Sequence, residues 1–332
     1  MRVLIIGKGG NDSLEQNLID VAVAQFGDNA SLFKFPSVPK LMSLDRRLRF
    51  LFLQFTKFSQ VNQLMSKRLI REVRREKPDL VIVLTGATDY LSSNTIRELK
   101  KQVSGKIICW FVDASIHLGT AKMLFAEYDH YFFADRGLLN WLKPFLKERA
   151  SLLMEGFHPY RHIVPSKSSR NSDIVVVGSL YPERILMLEE LVSLGFNIKI
   201  YGSGLPHWYS SGSLVDKYQG HYLVYEDKTK VFNEALCVLN NFHPATLDAV
   251  NCRVFEVLAS SGVLVTQDSV LLGEVFGEDA FLTYSTFSEL VVILKRITGH
   301  EVDLESYRAR TISLKKGHSL SARYAFIRSG NY

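Results

Sequence analysis

The chain has 332 residues, more than one compact core of ordinary size holds, so two domains are expected. With 47% hydrophobic and 22% charged residues, the composition is globular and excludes a disordered chain. The formal net charge of +6 suits anionic partners such as nucleotides, phosphorylated lipids or nucleic acid, without selecting among them. Three cysteines, Cys109, Cys237 and Cys252, form no CxxC pair. They argue against a disulfide framework or a zinc site and fit a reducing, cytoplasmic setting.

In chain order, "MRVLIIGKGG" reads as a strand entering a Gly-rich turn rather than as a signal peptide. Asn11, Asp12 and Ser13 are cap candidates for a helix over about 13–26. "ASLFKF" is a second strand, and a long basic, aromatic helical region is expected over 41–77. "DLVIVLTG" and "KIICWFVDAS" are apolar runs ended by turn signals, which predicts buried strands. "SSNTIRELKKQV" lies between them as a helix. "HYFFAD", a helix over 136–148 and a short strand in "SLLMEGF" follow. Alternating strands and helices imply a parallel sheet covered on both faces. No apolar run reaches 18 residues, so no membrane span is expected.

"PSKSSRNS", residues 165–172, is the best linker candidate, being polar, Ser-rich and opened by Pro. The pattern then restarts with "DIVVVGSL", "PERILMLEELVSLG" and "NIKIYGSG". "HYLVYED", "ALCVLNNF", "VLVTQD" and "AFLTYS" are expected as short strands or strand–helix edges, with "FSELVVILKRITG" as an amphipathic helix. The expected plan is an N-terminal Rossmann-like domain over 1–165 and a second over 170–315. A final helix, about 316–332 and including His318 and Arg323, is expected to return to the first.

Ligands of such sheets sit beyond the carboxyl ends of the strands, so the turns there carry the candidates. In "GKGGN", Gly9 and Gly10 would let a ligand approach the backbone. The spacing lacks the third glycine of a dinucleotide fingerprint and a clear acid ending the second strand. A nicotinamide-dependent oxidoreductase rests mainly on this turn, and a plain strand-to-helix turn explains it as well. In "VVVGSLYPER", Gly178 and Ser179 end a strand, and Arg184 sits in the next helix's first turn beside a Pro suited to that place. A cation there can meet a pyrophosphate; otherwise it is a solvated helix residue. Gly202 in "IYGSG" is a similar strand-end position.

"NCRVFEVLASSGVLVTQD", residues 251–268, puts Arg253 and Glu256 one helical turn apart on one face. Asn251 precedes them, and Asp248 lies eight residues before Glu256. An acid, seven intervening residues, a Glu, small residues, a Gly and an apolar strand resemble the nucleotide-sugar motif of the GT-B glycosyltransferases of group 1. "NCRVFEVLASSG", "DIVVVGSLYPER", "IYGSG", "GHYLVYED" and "KKGHSLSARYAF" resemble the spore-maturation-protein-like branch of that group. The likeness covers roughly 173–325; over 1–165 it is architectural.

The resemblance implies two Rossmann-like domains facing a cleft, and sugar transfer from a nucleotide donor to an acceptor hydroxyl. The donor would be linked to UDP, GDP or TDP, and the acceptor would be a glycan, lipid-linked or protein. Glu256 would hold the ribose, and Arg184 and Arg253 the diphosphate. Asp248 would stand near the donor sugar, although it is Asp and precedes "AVN" rather than following a Gly-rich loop. Base candidates from the first domain are Asp113 and His117 in "VDASIHLG". His158 and His243, each followed by Pro, read as structural. No D-x-D motif appears, so a metal-independent enzyme with no resident cofactor is expected. It would be a hexosyltransferase of surface or secreted glycan synthesis, cytoplasmic or peripheral at the inner membrane face. A non-catalytic nucleotide-sugar-binding protein of this fold is the alternative.

Residues 41–77 hold ten Lys/Arg against three Asp/Glu, interleaved with "RFLFLQFTKF". Such a helix can lie on an anionic membrane, bind a phosphorylated lipid, or show water a solvated basic side. Nucleic acid fits the charge, but no recognised module accompanies it.

Overall fold

The structure is a computed structural model that describes residues 1–35, 60–84, 91–112, 127–162, 169–209 and 211–332. Asp113, His117, residues 41–59 and the first half of the linker candidate lie outside them.

The chain divides into two compact units, Met1–Leu153 with Tyr324–Tyr332, and Met154–Arg323. Unit 1 holds strands β1 (Arg2–Gly7), β2 (Asn29–Lys34), β3 (Leu80–Leu84), β4 (Lys106–Phe111), β5 (His130–Phe133) and β6 (Ala150–Leu152). They form one sheet in the order β2-β1-β3-β4-β5-β6, parallel throughout. Unit 2 holds β7 (Ile174–Val177), β8 (Ile198–Tyr201), β9 (Cys237–Asn240), β10 (Leu264–Gln267) and β11 (Leu282–Tyr284). Their order is β11-β10-β9-β7-β8, again parallel. β3, β7 and β9 are buried at every residue, as strands covered on both faces must be.

The helices of unit 1 are α1 (Leu14–Phe26), α2 (Gln60–Glu76), α3 (Ser93–Lys100) and α4 (Arg136–Leu146). Ser13 caps α1 through the Gln16 amide, and Gly27 ends it at φ 59°, a left-handed turn that glycine adopts without strain. Leu69 and Val73 of α2, Ile96 and Leu99 of α3, and Leu138, Leu142 and Leu146 of α4 share one core with alternate residues of β1, β3 and β4. These three helices therefore cover one face of the sheet.

Unit 2 adds α5 (Pro182–Ser193), α6 (Tyr225–Glu234), α7 (Cys252–Ala259), α8 (Val270–Phe276), α9 (Phe287–Thr298) and α10 (Leu304–Leu314). "HYLVYED" is not a strand but the loop that enters α6. Its residues lack the uninterrupted apolar side a strand in this sheet needs. α9 opens with a capping box between Thr286 and Glu289.

The last helix, α11 (Leu320–Ser329), starts in unit 2 and is counted with unit 1 from Tyr324 onward. Tyr324 Oη donates to Asp28 Oδ2 at 2.8 Å, Arg328 Nε to the same oxygen at 2.9 Å, and the N-terminal amine to Oδ1 at 3.0 Å. His318 and Arg323 do not take part in this return. Arg323 donates to the Met154 and Glu155 carbonyls, and the His318 ring lies 4.7 Å from that of Phe276, all within unit 2. Phe157 bridges Ser319, which draws residues 154–162 into unit 2 ahead of the linker candidate. Among the described residues no helix is long and apolar enough to cross a membrane.

Candidate functional site

The turn after β7 is the structural centre of the site. Gly178 has φ 129°, a conformation that L side chains rarely adopt. A Cβ there would lie 3.2 Å from Arg184 Nη1 and 3.9 Å from Arg253 Nη2. Two guanidinium groups thus flank one glycine. Gly202, at the end of β8, is held tightly behind it: a Cβ on Gly202 would lie 2.3 Å from the Gly178 carbonyl oxygen.

Pro182 occupies the first turn of α5, which aims Arg184 back across the strand ends. Arg184 is 7% exposed. Its Nε donates to Asn241 Oδ1 at 2.7 Å, Nη1 to the Ser179 carbonyl at 3.0 Å and Nη2 to the Asn241 carbonyl at 2.8 Å. All three acceptors are neutral. No described carboxylate forms an ion pair with Arg184, whose pKa is lowered by burial and by the charge of Arg253. A buried, fixed cation beside a second cation is an arrangement that an anion stabilises.

α7 supplies the rest. Arg253 donates to the Val177 carbonyl at 3.2 Å and to Glu256 Oε2. Lys228 of α6, 2% exposed, donates to Glu256 Oε1 at 2.8 Å. Burial alone would raise the Glu256 carboxyl, but Arg253, Lys228 and His162 hold it down to about 2. Glu256 is therefore an ionised acceptor at any physiological pH. Arg184, Arg253 and Lys228 set three positive charges against this one carboxylate.

Asn251 heads α7 without capping it. Its side chain forms reciprocal amide bonds with Asn240, at 3.0 and 3.2 Å. The side chain is turned away from the first amides of α7, and a helix start without its side-chain cap offers donors to an anion. Tyr222 is half exposed. Burial raises its hydroxyl, while the charges of Lys228 and Arg253 pull it the other way.

A cavity of about 640 Å³ opens at the ends of β9, β10 and β11. Tyr181 and Asn241 form part of its wall, and Asp248, Asp268, Phe242 and Phe287 line it further on. The Asn241 that fixes Arg184 thus also borders this space. Asp248 lies on the wall, and its Oδ1 accepts from the Leu271 amide at 2.9 Å, at the start of α8. His243 Nδ1 accepts from Ala245 N, and His158 Nδ1 from Tyr160 N, so both histidines shape their own loops.

In unit 1 the turn after β1 is filled from within at Gly7 and Lys8, while a Cβ at Gly10 would meet open space. The Glu15 carboxylate accepts from Lys8 N at 3.0 Å, and a Cβ at Gly7 would strike Glu15. The place a pyrophosphate would take in a dinucleotide fold holds the chain's own carboxylate, which disfavours the oxidoreductase reading. Gly178, Ser179, Arg184, Gly202, Asn251, Arg253 and Glu256 come together in unit 2. Asp248 stands on the neighbouring cavity wall, and Gly9 and Gly10 lie in the other unit. The sequence reading missed Lys228 and Tyr222, because nothing in "HYLVYEDK" marks either one as belonging with α7. Among the described residues no three His, Cys, Asp or Glu side chains are grouped so as to hold a metal ion.

Comparison with known proteins bears on the fold. A family model described as glycosyl transferase-like matches residues 184–329. No curated protein matches the chain in sequence. Among solved structures, the HepE protein of Anabaena in complex with UDP and glucose superposes with a TM-score of 0.68 at 12% identity, covering 99% of each chain. A glycosyltransferase from Rickettsia africae gives 0.65 at 12% identity, covering 99% of this chain and 97% of that one. The UDP-forming trehalose-phosphate synthase of Burkholderia xenovorans, in complex with glucose-6-phosphate, gives 0.64 at 12% identity and 99% of each. The fold is GT-B, built from two Rossmann-like parallel-sheet domains.

Proposed function

We propose that this chain is a glycosyltransferase that moves a hexosyl group from a nucleoside-diphosphate sugar to an acceptor hydroxyl. The observation that carries the reading is the pair Arg184 and Arg253 at Gly178, beside an ionised Glu256. The UDP complexes of HepE and the family match over 184–329 support the donor class.

In this reading the diphosphate lies over Gly178, where the missing side chain lets its oxygens reach both guanidinium groups. Its charge grows as the sugar leaves, and fixed cations in a dry site stabilise that change. Arg184 and Arg253 are proposed to supply the positive charge, so the reaction runs without a metal ion. The Glu256 carboxylate accepts from the ribose hydroxyls, and the Tyr222 ring gives the base a flat partner. The transferred sugar points past Asn241 into the cavity that Asp248 borders. Asp113 and His117 remain the base candidates for the acceptor hydroxyl. By resemblance to the spore-maturation-protein-like branch, we place the activity in surface or secreted glycan assembly on the cytoplasmic side.

The test is a thermal-shift screen of the purified chain against UDP, GDP, TDP and NAD. Saturation at a hundred times the dissociation constant stabilises a fold by about 2.7 kcal/mol. One nucleoside diphosphate is expected to raise Tm in the wild type and to raise it by half as much or less in Arg184→Gln. A response to NAD alone, or to none of the four, overturns the proposal. Turnover that persists in EDTA, and falls with Asp113→Asn or His117→Ala, checks the metal and base assignments.

A further inference from the structure

The α2–α3–α4 layer of unit 1 carries a second surface that the transfer reaction does not use. In α4 the residues Leu138, Leu142 and Leu146 face the core. On its outer side Trp141 is 57% exposed and Phe145 70% exposed. They lie four residues apart, so the two rings sit side by side on one ridge of the helix. Two large aromatic rings standing together in water are unfavourable, and a surface that does this marks an interaction site.

The surroundings of the rings are cationic. From Arg136 to Arg149 the chain has four Lys/Arg and one acid, Glu148, and Lys143, Lys147 and Arg149 are exposed. α2 lies in the same layer because Leu69 and Val73 enter the same core. Its outer side exposes Lys67, Arg71 and Arg74, one turn apart, none of them in an ion pair with a described residue. α3 adds further cations, although Lys100 and Lys101 are paired with Asp129 and Glu98. Among the described residues the three helices thus carry more Lys and Arg than Asp and Glu, on the same sheet face as the aromatic ridge.

We infer that this layer docks on an anionic lipid bilayer, with Trp141 and Phe145 entering the headgroup region and the α2 and α4 cations meeting the lipid charges. Three observations favour a bilayer over other occupants. The rings stand on a convex ridge, whereas a nucleic-acid strand is held by aromatics within a basic groove. The ridge is rimmed by Lys, a residue depleted from protein–protein interfaces. Trp, Phe and Lys together are the residues of an interfacial helix face. Each cation near an anionic surface adds to the attraction, and that attraction is screened by salt. The docking is peripheral and reversible.

The test is co-sedimentation of the full chain with phosphatidylcholine vesicles, and with vesicles of phosphatidylcholine and phosphatidylglycerol at roughly 7:3, chosen to approximate an anionic leaflet. Binding to the mixed vesicles, weak binding to the neutral ones, and weakening at high salt are expected. Trp141→Ala with Phe145→Ala is expected to lower vesicle affinity about tenfold while leaving Tm and nucleoside-diphosphate binding unchanged. Arg71→Gln with Arg74→Gln is expected to flatten the salt dependence. As a readout that needs no loss of binding, emission in a Trp208→Phe background, where Trp141 is the exposed tryptophan and Trp110 is fully buried, should be partly quenched by brominated lipid, and the quenched part should vanish in Trp141→Phe. Any of three results overturns the inference: no binding to anionic vesicles, equal binding by the Trp141/Phe145 variant, or quenching absent while protein sediments. Tighter binding to an oligonucleotide than to vesicles, or self-association abolished by the same variant, would overturn it in favour of those partners.

Discussion

The Lys228 ammonium lies 2.8 Å from the Glu256 carboxylate, and the Arg253 guanidinium meets the other oxygen of the same group. The three side chains come from two helices, α6 and α7, and are nearly or wholly shielded from water. Burying a charge without a partner costs several kcal/mol, so the members are energetically coupled.

That coupling sets the first prediction. Glu256→Gln removes the negative charge that Lys228 and Arg253 share and is expected to destabilise the fold by about 3 kcal/mol. Lys228→Met leaves Glu256 with Arg253 and is expected to cost less. The double variant should cost less than the sum of the two, because the second change removes a charge already left unpaired. Urea denaturation of all four proteins checks it, and simple additivity would show that the pair is not coupled.

Two glycines in the turns after strands, Gly202 after β8 and Gly10 after β1, are expected to behave oppositely. Gly202→Ala drives a methyl to within 2.3 Å of the Gly178 carbonyl. It should destabilise by about 1–3 kcal/mol and shift the Gly178 turn enough to weaken nucleotide binding. A Cβ at Gly10 meets nothing within 4 Å, so Gly10→Ala should change stability by no more than about 0.5 kcal/mol. Any loss of turnover in that variant would then report contact with the acceptor. Chemical denaturation and steady-state kinetics separate the two effects.

Stability should fall in mild acid in both units. Burial, reinforced by Lys106, pushes His130 down to about 4, and burial with Arg323 does the same to His318. An unfolded histidine titrates near 6.5, so across this window the unfolded chain binds more protons than the native one. The histidine contribution is complete above pH 6.5 and is lost as pH falls towards 4. His318→Leu should flatten the decline for unit 2, and His130→Leu that for unit 1. Thermal unfolding from pH 8 to 4 measures both, and an unchanged slope in His318→Leu would contradict the burial of a neutral ring.

The closing helix is tied at Asp28. Burial would raise its carboxyl, yet Arg328, the N-terminal amine and Tyr324 hold it below the ordinary carboxylate range. Tyr324→Phe removes one charge-assisted bond and is expected to cost about 1.5–3 kcal/mol. Hydrogen exchange of residues 324–329 should speed up in that variant, and unchanged protection would show that the packing of Tyr324 on Phe26 suffices without the bond.

Much of this architecture was legible in the chain. Uninterrupted apolar runs such as "LVIVL" and "IVVV" demand cover on both faces, and the Ser, Asp and Thr caps fix where helices start. Arg184, Arg253 and Glu256 were legible because each follows a strand end or starts a helix. Lys228 was not: no short-range pattern says that a lysine 28 residues before Glu256 will be buried against it. The tie between Asp28 and Tyr324, separated by 296 residues, is equally invisible to local periodicity. His318 and Arg323 were expected with the returning helix, but their aromatic and carbonyl partners keep them in unit 2, and the return begins only at Tyr324. "HYLVYED" was expected as a short strand or strand–helix edge because its aromatics mimic strand composition, but it is a loop that runs into the first turn of α6.

The central claim is that Arg184 and Arg253 meet a diphosphate while Glu256 meets a ribose. Isothermal titration of UDP and of uridine into the wild type, Arg184→Gln and Glu256→Gln tests it most directly, with GDP and guanosine, or TDP and thymidine, used instead if the thermal screen selects another base. Arg184→Gln is expected to weaken the diphosphate at least tenfold and to leave the nucleoside unchanged, while Glu256→Gln weakens both. Equal weakening of nucleoside and diphosphate by Arg184→Gln, or tight diphosphate binding that neither substitution changes, would contradict it.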